Sequence, residues 1–307
     1  MKRTLLTFVI AVVLVLLIRT FAFTSCTIPS SGMENTLYRG DRVIVNKWSY
    51  GLRLPFTSVV GYHRWGAEAV RQGDIVLFNN PAPKHLSTPI DRREVFISRC
   101  IGAPGDTLML NNEWVMTGDR VISPDDKFLY SYPGSQEELL QTAMQEAGII
   151  DNSLLGYDEG DYVRSFSHYE LYLLRQELQG LILFKPLQTD TTEGVHPFVI
   201  PSQGKLIRVY PWNVKLLCNT INCHEGRQAT LRGNTLVIDG KAVNAYRFKK
   251  NYCWVASSNS INITDSRLFG LVPEDHLIGR ASLIWFSKEA DRPWNEGYRW
   301  ERIFSKL

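Results

Sequence analysis

The sequence predicts a mainly β protein: an N-terminal transmembrane helix, then an antiparallel β-sheet domain interrupted by an inserted α/β subdomain. Three observations predict it. The chain opens on a long apolar run. From Gly40 onward it is a series of short β-patterned runs closed by turn residues, and two helix-patterned stretches with capping signals break that series between Ser123 and Pro201. A chain of 307 residues with 44% hydrophobic and 21% charged residues can bury a sizeable core. Lys plus Arg exceed Asp plus Glu by 34 − 31 = 3, and the charges are dispersed without basic runs, which excludes a nucleic-acid-binding signature.

The first element is Met1-Lys2-Arg3, then the uncharged "TLLTFVIAVVLVLLI" (Thr4–Ile18), then Arg19 and "TFAF". The run alone is short of the ~20 residues that span a bilayer, but the Arg19 stem can snorkel, and counting through Phe23 gives twenty positions. Lys2 and Arg3 then lie in the cytoplasm and the body outside it. A cleaved secretory signal is one alternative. A lipoprotein is another, since "FTSC" places Ser25 before Cys26 as at a lipidation site, although Phe23 fits that pattern poorly. All three put the body outside the cytoplasm. The expected organisation is an anchor over residues 1–25, a β domain over 26–122 and 202–307, and an inserted subdomain over 123–201.

The β elements follow in order. "GDRVIVNKWSYGL" alternates polar and apolar residues, "GDIVLFNNP" is a strand stopped by Asn-Asn-Pro, and "REVFISRCIGAPGDTLML" is strand, Gly/Pro turn and strand. "MLNNEWVM" reads as a hairpin centred on Asn111-Asn112. "NTLVIDGKAVNAYRF" is the clearest hairpin, with Asp239-Gly240 as a type I′ turn. In the middle, "SQEELLQTAMQEAG" has Ser135 followed three residues on by Glu138, a capping box, with Gly148 to end the helix. "SHYELYLLRQELQG" repeats the device with Ser167, Glu170 and Gly180. Five cysteines, Cys26, Cys100, Cys218, Cys223 and Cys253, leave at least one thiol unpaired. "CNTINCH" offers Cys218 and Cys223 as a short-loop disulfide or, with His224, as a metal cluster, but its spacing matches no zinc pattern, and buried thiols are the expectation. No metal or cofactor is expected.

Four segments, "IPSSGMENTLYRGDRVIVNKWSYGLRLP", "GDIVLFNNP", "VFISRCIGAPGDTL" and "VASSNSINITDSRLFGLVPEDHLIGRASLIWFS", resemble in order the bacterial signal peptidase I family, membrane-anchored serine proteases that cut signal peptides from exported proteins. The resemblance implies a serine nucleophile activated by a neutral lysine, whose pKa an apolar setting depresses, and a second serine with a backbone N–H for the oxyanion. The family loop reads Pro-Ser-x-Ser-Met. Here Pro29-Ser30-Ser31-Gly32-Met33 places Gly32 at the nucleophile and Ser30 at the oxyanion serine. In "VFISRC" the lysine position is Ser98. Neither substituted residue can perform the family role, since glycine has no side chain and a hydroxyl is not an amine base.

The fourth segment departs in the same place. Asp265, Ser266 and Arg267 match the family pattern, while its Gly and Asp have become Ser257 and Ser258 and the lysine-bonding serine has become Ile263. The resemblance therefore implies a protein that binds signal peptides or precursors of exported proteins at the lipid bilayer, with Pro29, Met33 and Ile97 on the substrate side and Arg99, Asp265, Ser266 and Arg267 as structure near the site. It could act alone or beside an active signal peptidase paralogue. The enzyme alternative uses Ser31 as a shifted nucleophile, with Gly32 supplying loop freedom. Its base would come from Lys47, Lys84 or His85, the lysines reading as solvated surface charges. A lipoprotein or structural envelope role is the remaining alternative.

Overall fold

The computed structural model describes residues 2–54, 61–83, 85, 87–110, 115–117, 120–121, 127–149, 152–158, 160–187, 196–258 and 265–307. Asn111-Asn112, Lys84 and Ile263 lie outside them. Helix α1 (Lys2–Phe21) is continuous, and its window Thr4–Phe21 is long and apolar enough to cross a membrane. It runs directly into β1 (Phe23–Thr27). Lys47, expected as a solvated surface charge, is half-buried. Its Nζ donates to the carbonyls of Arg19 (2.9 Å) and Thr20 (3.1 Å), because the last turn of a helix leaves carbonyls without intrahelical donors and favours a cation.

The remaining strands, in chain order, are β2 (Arg42–Asn46), β3 (Leu52–Arg53), β4 (Arg64–Trp65), β5 (Ile75–Asn79), β6 (Val95–Gly102), β7 (Thr107–Leu110), β8 (Val115–Thr117), β9 (Arg120–Val121), β10 (Lys127–Pro133), β11 (Gly156–Asp158), β12 (Asp161–Ser167), β13 (Lys185–Pro186), β14 (His196–Val199), β15 (Leu206–Arg208), β16 (Ala229–Arg232), β17 (Thr235–Ile238), β18 (Lys241–Val243), β19 (Ala245–Arg247), β20 (Tyr252–Ala256), β21 (Val272–Pro273), β22 (Leu277–Phe286) and β23 (Ser305–Lys306). Four more helices, α2 (Glu137–Glu146), α3 (His168–Leu178), α4 (Val214–His224) and α5 (Ser266–Phe269), complete the described elements.

The main sheet runs β1-β2-β22-β5-β6-β20-β21, and every neighbouring pair is antiparallel. β5 lies inside it with all five residues buried, as a central strand covered on both faces must. Its alternation divides them: Ile75 and Leu77 join a cluster with Ile28, Met33, Leu37, Val43 and Val45, whereas Val76 and Phe78 join one with Tyr50, Cys100, Cys253 and Val255. Ile97 of β6 and Cys26 of β1 both pack against the first cluster, so the sheet curls until strands four places apart in its order meet across one core.

A second sheet, β11-β12-β10-β13, carries α2 and α3 over a core of its own that includes Phe128, Tyr132, Leu140, Phe166 and Leu174. At α3 the Ser167/Glu170 capping box forms in both directions. At α2 it does not. A 3-10 turn, Gly134–Gln136, precedes the helix, Gln136 takes the cap position without a side-chain bond, and Ser135 is left outside. Asp239-Gly240 turns β17 into β18 with φ of 48° and 81°, the doubly left-handed geometry of a type I′ turn. All five cysteines are unbridged, and Cys218 and Cys223 both lie on α4.

Candidate functional site

Residues 28–41 form a loop between β1 and β2, closed at its neck by Ile28 N–H to Asp41 O (2.8 Å) and Gly40 N–H to Ile28 O (2.9 Å). Asn35 takes the left-handed conformation (φ 72°) that asparagine tolerates. Gly40 (φ 91°) passes the C-terminal segment so closely that a Cβ there would meet the Lys288 carbonyl at 2.0 Å, so only glycine fits. Gly32, Met33, Glu34 and Leu37 are buried, while Pro29 and Ser30 are exposed and Ser31 half-buried. Of the residues expected on the substrate side, Met33 and Ile97 meet in one cluster and Pro29 stays on the surface.

Three braces hold the loop. From the C-terminus, Arg302 Nη2 donates to the buried Asp41 Oδ2 (2.7 Å) and to Thr36 O (2.9 Å) and lies over the Tyr38 ring, while Ser287 Oγ–H donates to Asp41 Oδ1 (2.5 Å). From β6, Arg99 Nη2 donates to Thr36 Oγ1 (2.7 Å). From the first residue of β10, Lys127 Nζ reaches Glu34 Oε2 at 2.9 Å and Glu170 Oε1 at 3.2 Å. Lys127 and Glu34 are each 1% exposed, so this is a buried charge cluster in which one ammonium is shared by two carboxylates, in a place where a lone charge would be prohibitive. No local sequence pattern marks it, because Glu34 sits in the loop and Lys127 opens a strand of the second sheet 93 positions away. The capping box did mark Glu170, whose other oxygen caps α3.

Ser98 is fully buried and its Oγ–H turns back onto the Ile97 carbonyl (2.8 Å). β20 pairs β6 only from Arg99 onward, so among the described residues the strands pair Val95–Ile97 with β5 alone. β1 is likewise an edge, bonded only to β2. Two open edges therefore flank the loop. Beyond β20, the buried Asp265 accepts from Ser257 N–H (2.7 Å), caps α5 through Arg267 N–H (2.9 Å) and pairs with Arg267 Nη2 (2.6 Å), while Ser266 Oγ accepts from Val255 N–H (2.9 Å). These contacts fix the end of β20, and Ser258 O there receives the N–H of Lys127 (2.7 Å). His85 is exposed in the turn after β5.

The start of β6 has its own anchor. Arg93 donates through Nη1 to Asn80 O (3.3 Å) and to His276 Nε2 (2.9 Å), while His276 Nδ1–H donates to Asp275 Oδ1 (2.8 Å) and Lys250 Nζ to Asp275 Oδ2 (2.6 Å). Accepting from Arg93 requires a neutral imidazole. Burial lowers the His276 pKa, Arg93 and Lys250 lower it further, and only Asp275 opposes them. The His224 ring stands 5.2 Å away, and burial first, then His276, push its pKa down to about 3.

Between loop and second sheet is a cleft of about 610 Å³, lined by Ser30, Ser31 and Arg39 on one side and by Met144, Gln145 and Arg164 on the other. An apolar helix feeding the edge of a curled antiparallel sheet, with one braced loop between two edges, defines a β scaffold with a loop-centred candidate site. Comparison with known proteins gives this scaffold its family. The model of "Signal peptidase, peptidase S26" matches residues 1–166 and 227–286, and the chain belongs to this family. It is similar to signal peptidase I of Buchnera aphidicola subsp. Schizaphis graminum, 27% identical over 94% of this chain and 77% of that one. Signal peptidase I of Haemophilus influenzae is 24% identical over 95% of this chain and 72% of its own. The "Probable signal peptidase I-2" of Synechocystis is 30% identical over 68% of this chain and 86% of its own.

Proposed function

We propose that this protein binds the signal-peptide region of exported precursors at the cytoplasmic membrane and holds it without cutting. Helix α1 spans the bilayer with Lys2 and Arg3 in the cytoplasm, which leaves the sheets outside it. The observation that carries the reading is the pair of edges, β1 and Val95–Ile97, that the described strands leave open on either side of the loop. An extended peptide can satisfy both rows of backbone groups by strand addition, which needs no catalytic side chain. Val95 is 48% exposed and Phe96 and Ile97 are partly so, offering an apolar floor for small side chains.

Two features support holding over cutting. Gly32 and Ser98, matched by resemblance to the nucleophile and its lysine, supply neither an attacking hydroxyl nor an amine. Lys127, the buried lysine beside the loop, has its ammonium shared between two carboxylates, which makes it a cross-link and not a base. The test mixes the purified full chain in detergent with a signal-peptide-bearing precursor, beside an active signal peptidase. Binding without cleavage is expected. Cleavage at the junction that disappears in Ser31→Ala would replace this reading with that of an active peptidase using a displaced nucleophile, and absence of both binding and cleavage would return it to a structural envelope protein.

A further inference from the structure

We infer that the cleft between the loop and the second sheet is a subsite for the part of the precursor that follows the strand-bound stretch, and that it selects an extended polar segment carrying an acidic side chain. The inference rests on the binding reading above and adds a direction to it. Successive antiparallel pairings along β1-β2-β22-β5-β6 make β1 and β6 parallel to each other. β1 leaves the C-terminal end of α1, and a signal peptide's apolar core likewise leads C-terminally out of the bilayer. A precursor lying between the two edges therefore runs parallel to β1, and its continuation arrives at Ser30 and Ser31, which line the mouth of the cleft.

The walls suit such an occupant. At 610 Å³ the cleft falls within the roughly 300–1,000 Å³ of ligand sites. Gln145 presents an amide, which can both donate to and accept from an extended backbone, while Gln141 and Asn152 donate theirs to Glu137 Oε1 (2.7 Å) and Ser165 O (2.7 Å) and help fix the wall. Among the described residues, none that lines the cleft is Asp or Glu, whereas Arg39 and Arg164 both line it. Arg164 is committed to Glu137 and Asn152, so it stiffens the wall. Among the described residues the Arg39 guanidinium pairs with Asp291 (3.0 and 3.1 Å), an exposed fork that a peptide carboxylate can displace because surface pairs contribute little.

Fluorescence anisotropy on the full chain in detergent decides it with three labelled peptides: a signal-peptide C-region ending at its last small residue, the same peptide extended by about five residues bearing Asp or Glu, enough to reach ~17 Å onward, and an equal extension bearing Lys. The acidic extension is expected to bind about tenfold tighter than the short peptide, with the Lys extension showing no such gain. Arg39→Ala removes the gain, and Asp291→Asn increases it. Equal affinity for all three peptides overturns the subsite and leaves the strand-binding reading standing. If no peptide binds, the strand-binding reading fails, and the subsite with it.

Discussion

The two sides of the site are built from different materials. The loop side, residues 28–41, is tied to the body through permanent charges: Asp41 with Arg302, and Glu34 with Lys127 and, through it, Glu170. The strand side, Val95–Ile97, is apolar, left open along one edge by the described strands, and anchored at its start by Arg93 on a neutral histidine. The difference teaches where precision is needed. A loop held in the backbone only at its neck and turns relies on side-chain ties for the rest of its shape, whereas a strand is positioned by its ladder and can leave one edge free.

The largest expected effect comes from breaking the loop side. Lys127→Met leaves Glu34 and Glu170 buried without their cation, which costs about 3–5 kcal/mol, since an uncompensated buried charge is far worse than a missing pair. Denaturant unfolding of the detergent-solubilised chain measures it. Lys127→Met combined with Glu34→Leu should recover part of the loss; if the double variant is no more stable than the single, the three residues do not act as one cluster.

Restoring the chemistry comes next. Gly32→Ser alone is expected to give no cleavage, because it has no base. With Ser98→Lys added, an amine is placed at a fully buried position beside Ile97, where desolvation disfavours its charged form. Cleavage should then rise by ~10² or more over the single variants, the usual contribution of a positioned base. No cleavage by a well-folded double variant that still binds precursor would show that the two positions are not the family's nucleophile and lysine.

The strand side should be the pH-sensitive one. His276 and His224 both have lowered folded-state pKa values, so the unfolded chain takes up protons near pH 6.5 that the folded chain refuses. Their stabilisation is complete above about pH 6.5 and is lost as the pH falls below it, by ~1–2 kcal/mol between pH 6.5 and 5. Asp275 is also held below the usual carboxylate range, but its stabilisation is lost only under more acid conditions, near and below the ordinary carboxyl pKa of ~4. Melting curves from pH 8 to 5 test this. His276→Gln should flatten the slope, and an unchanged slope in a variant that also carries His224→Gln assigns the acid sensitivity elsewhere.

The sequence showed this molecule unevenly. The apolar helix, the central strand Ile75–Asn79, the Asp239-Gly240 turn and the Ser167/Glu170 cap were legible, because each is written in neighbouring residues with a fixed period or offset. Ser135 misled because a competing 3-10 turn took the start of α2. The ties that make the site were invisible: Lys127 to Glu34, Arg302 to Asp41 and Arg93 to His276 span 93, 261 and 183 positions, and a letter pattern carries no signal over such separations. Lys47 read as surface because its partner is a set of backbone carbonyls, which no side-chain pattern reveals.

One residue belongs to both sides. Arg99 sits on β6, just past the open half of the strand, and its Nη2 donates to Thr36 Oγ1 of the loop (2.7 Å), while Nη1 reaches Gly73 O at 3.5 Å. Replacing it with Lys keeps the charge and the apolar stem but loses the planar fork that spans the two elements. The stability cost should be small, about 1 kcal/mol, the worth of a single hydrogen bond. The informative readout is therefore binding: if the bridge sets the spacing between the two edges, Arg99→Lys weakens the short signal-region peptide more than its stability loss accounts for, and Thr36→Val does the same. If both variants bind it as the parent does, the two sides are positioned independently, and the curled sheet alone sets the distance between them.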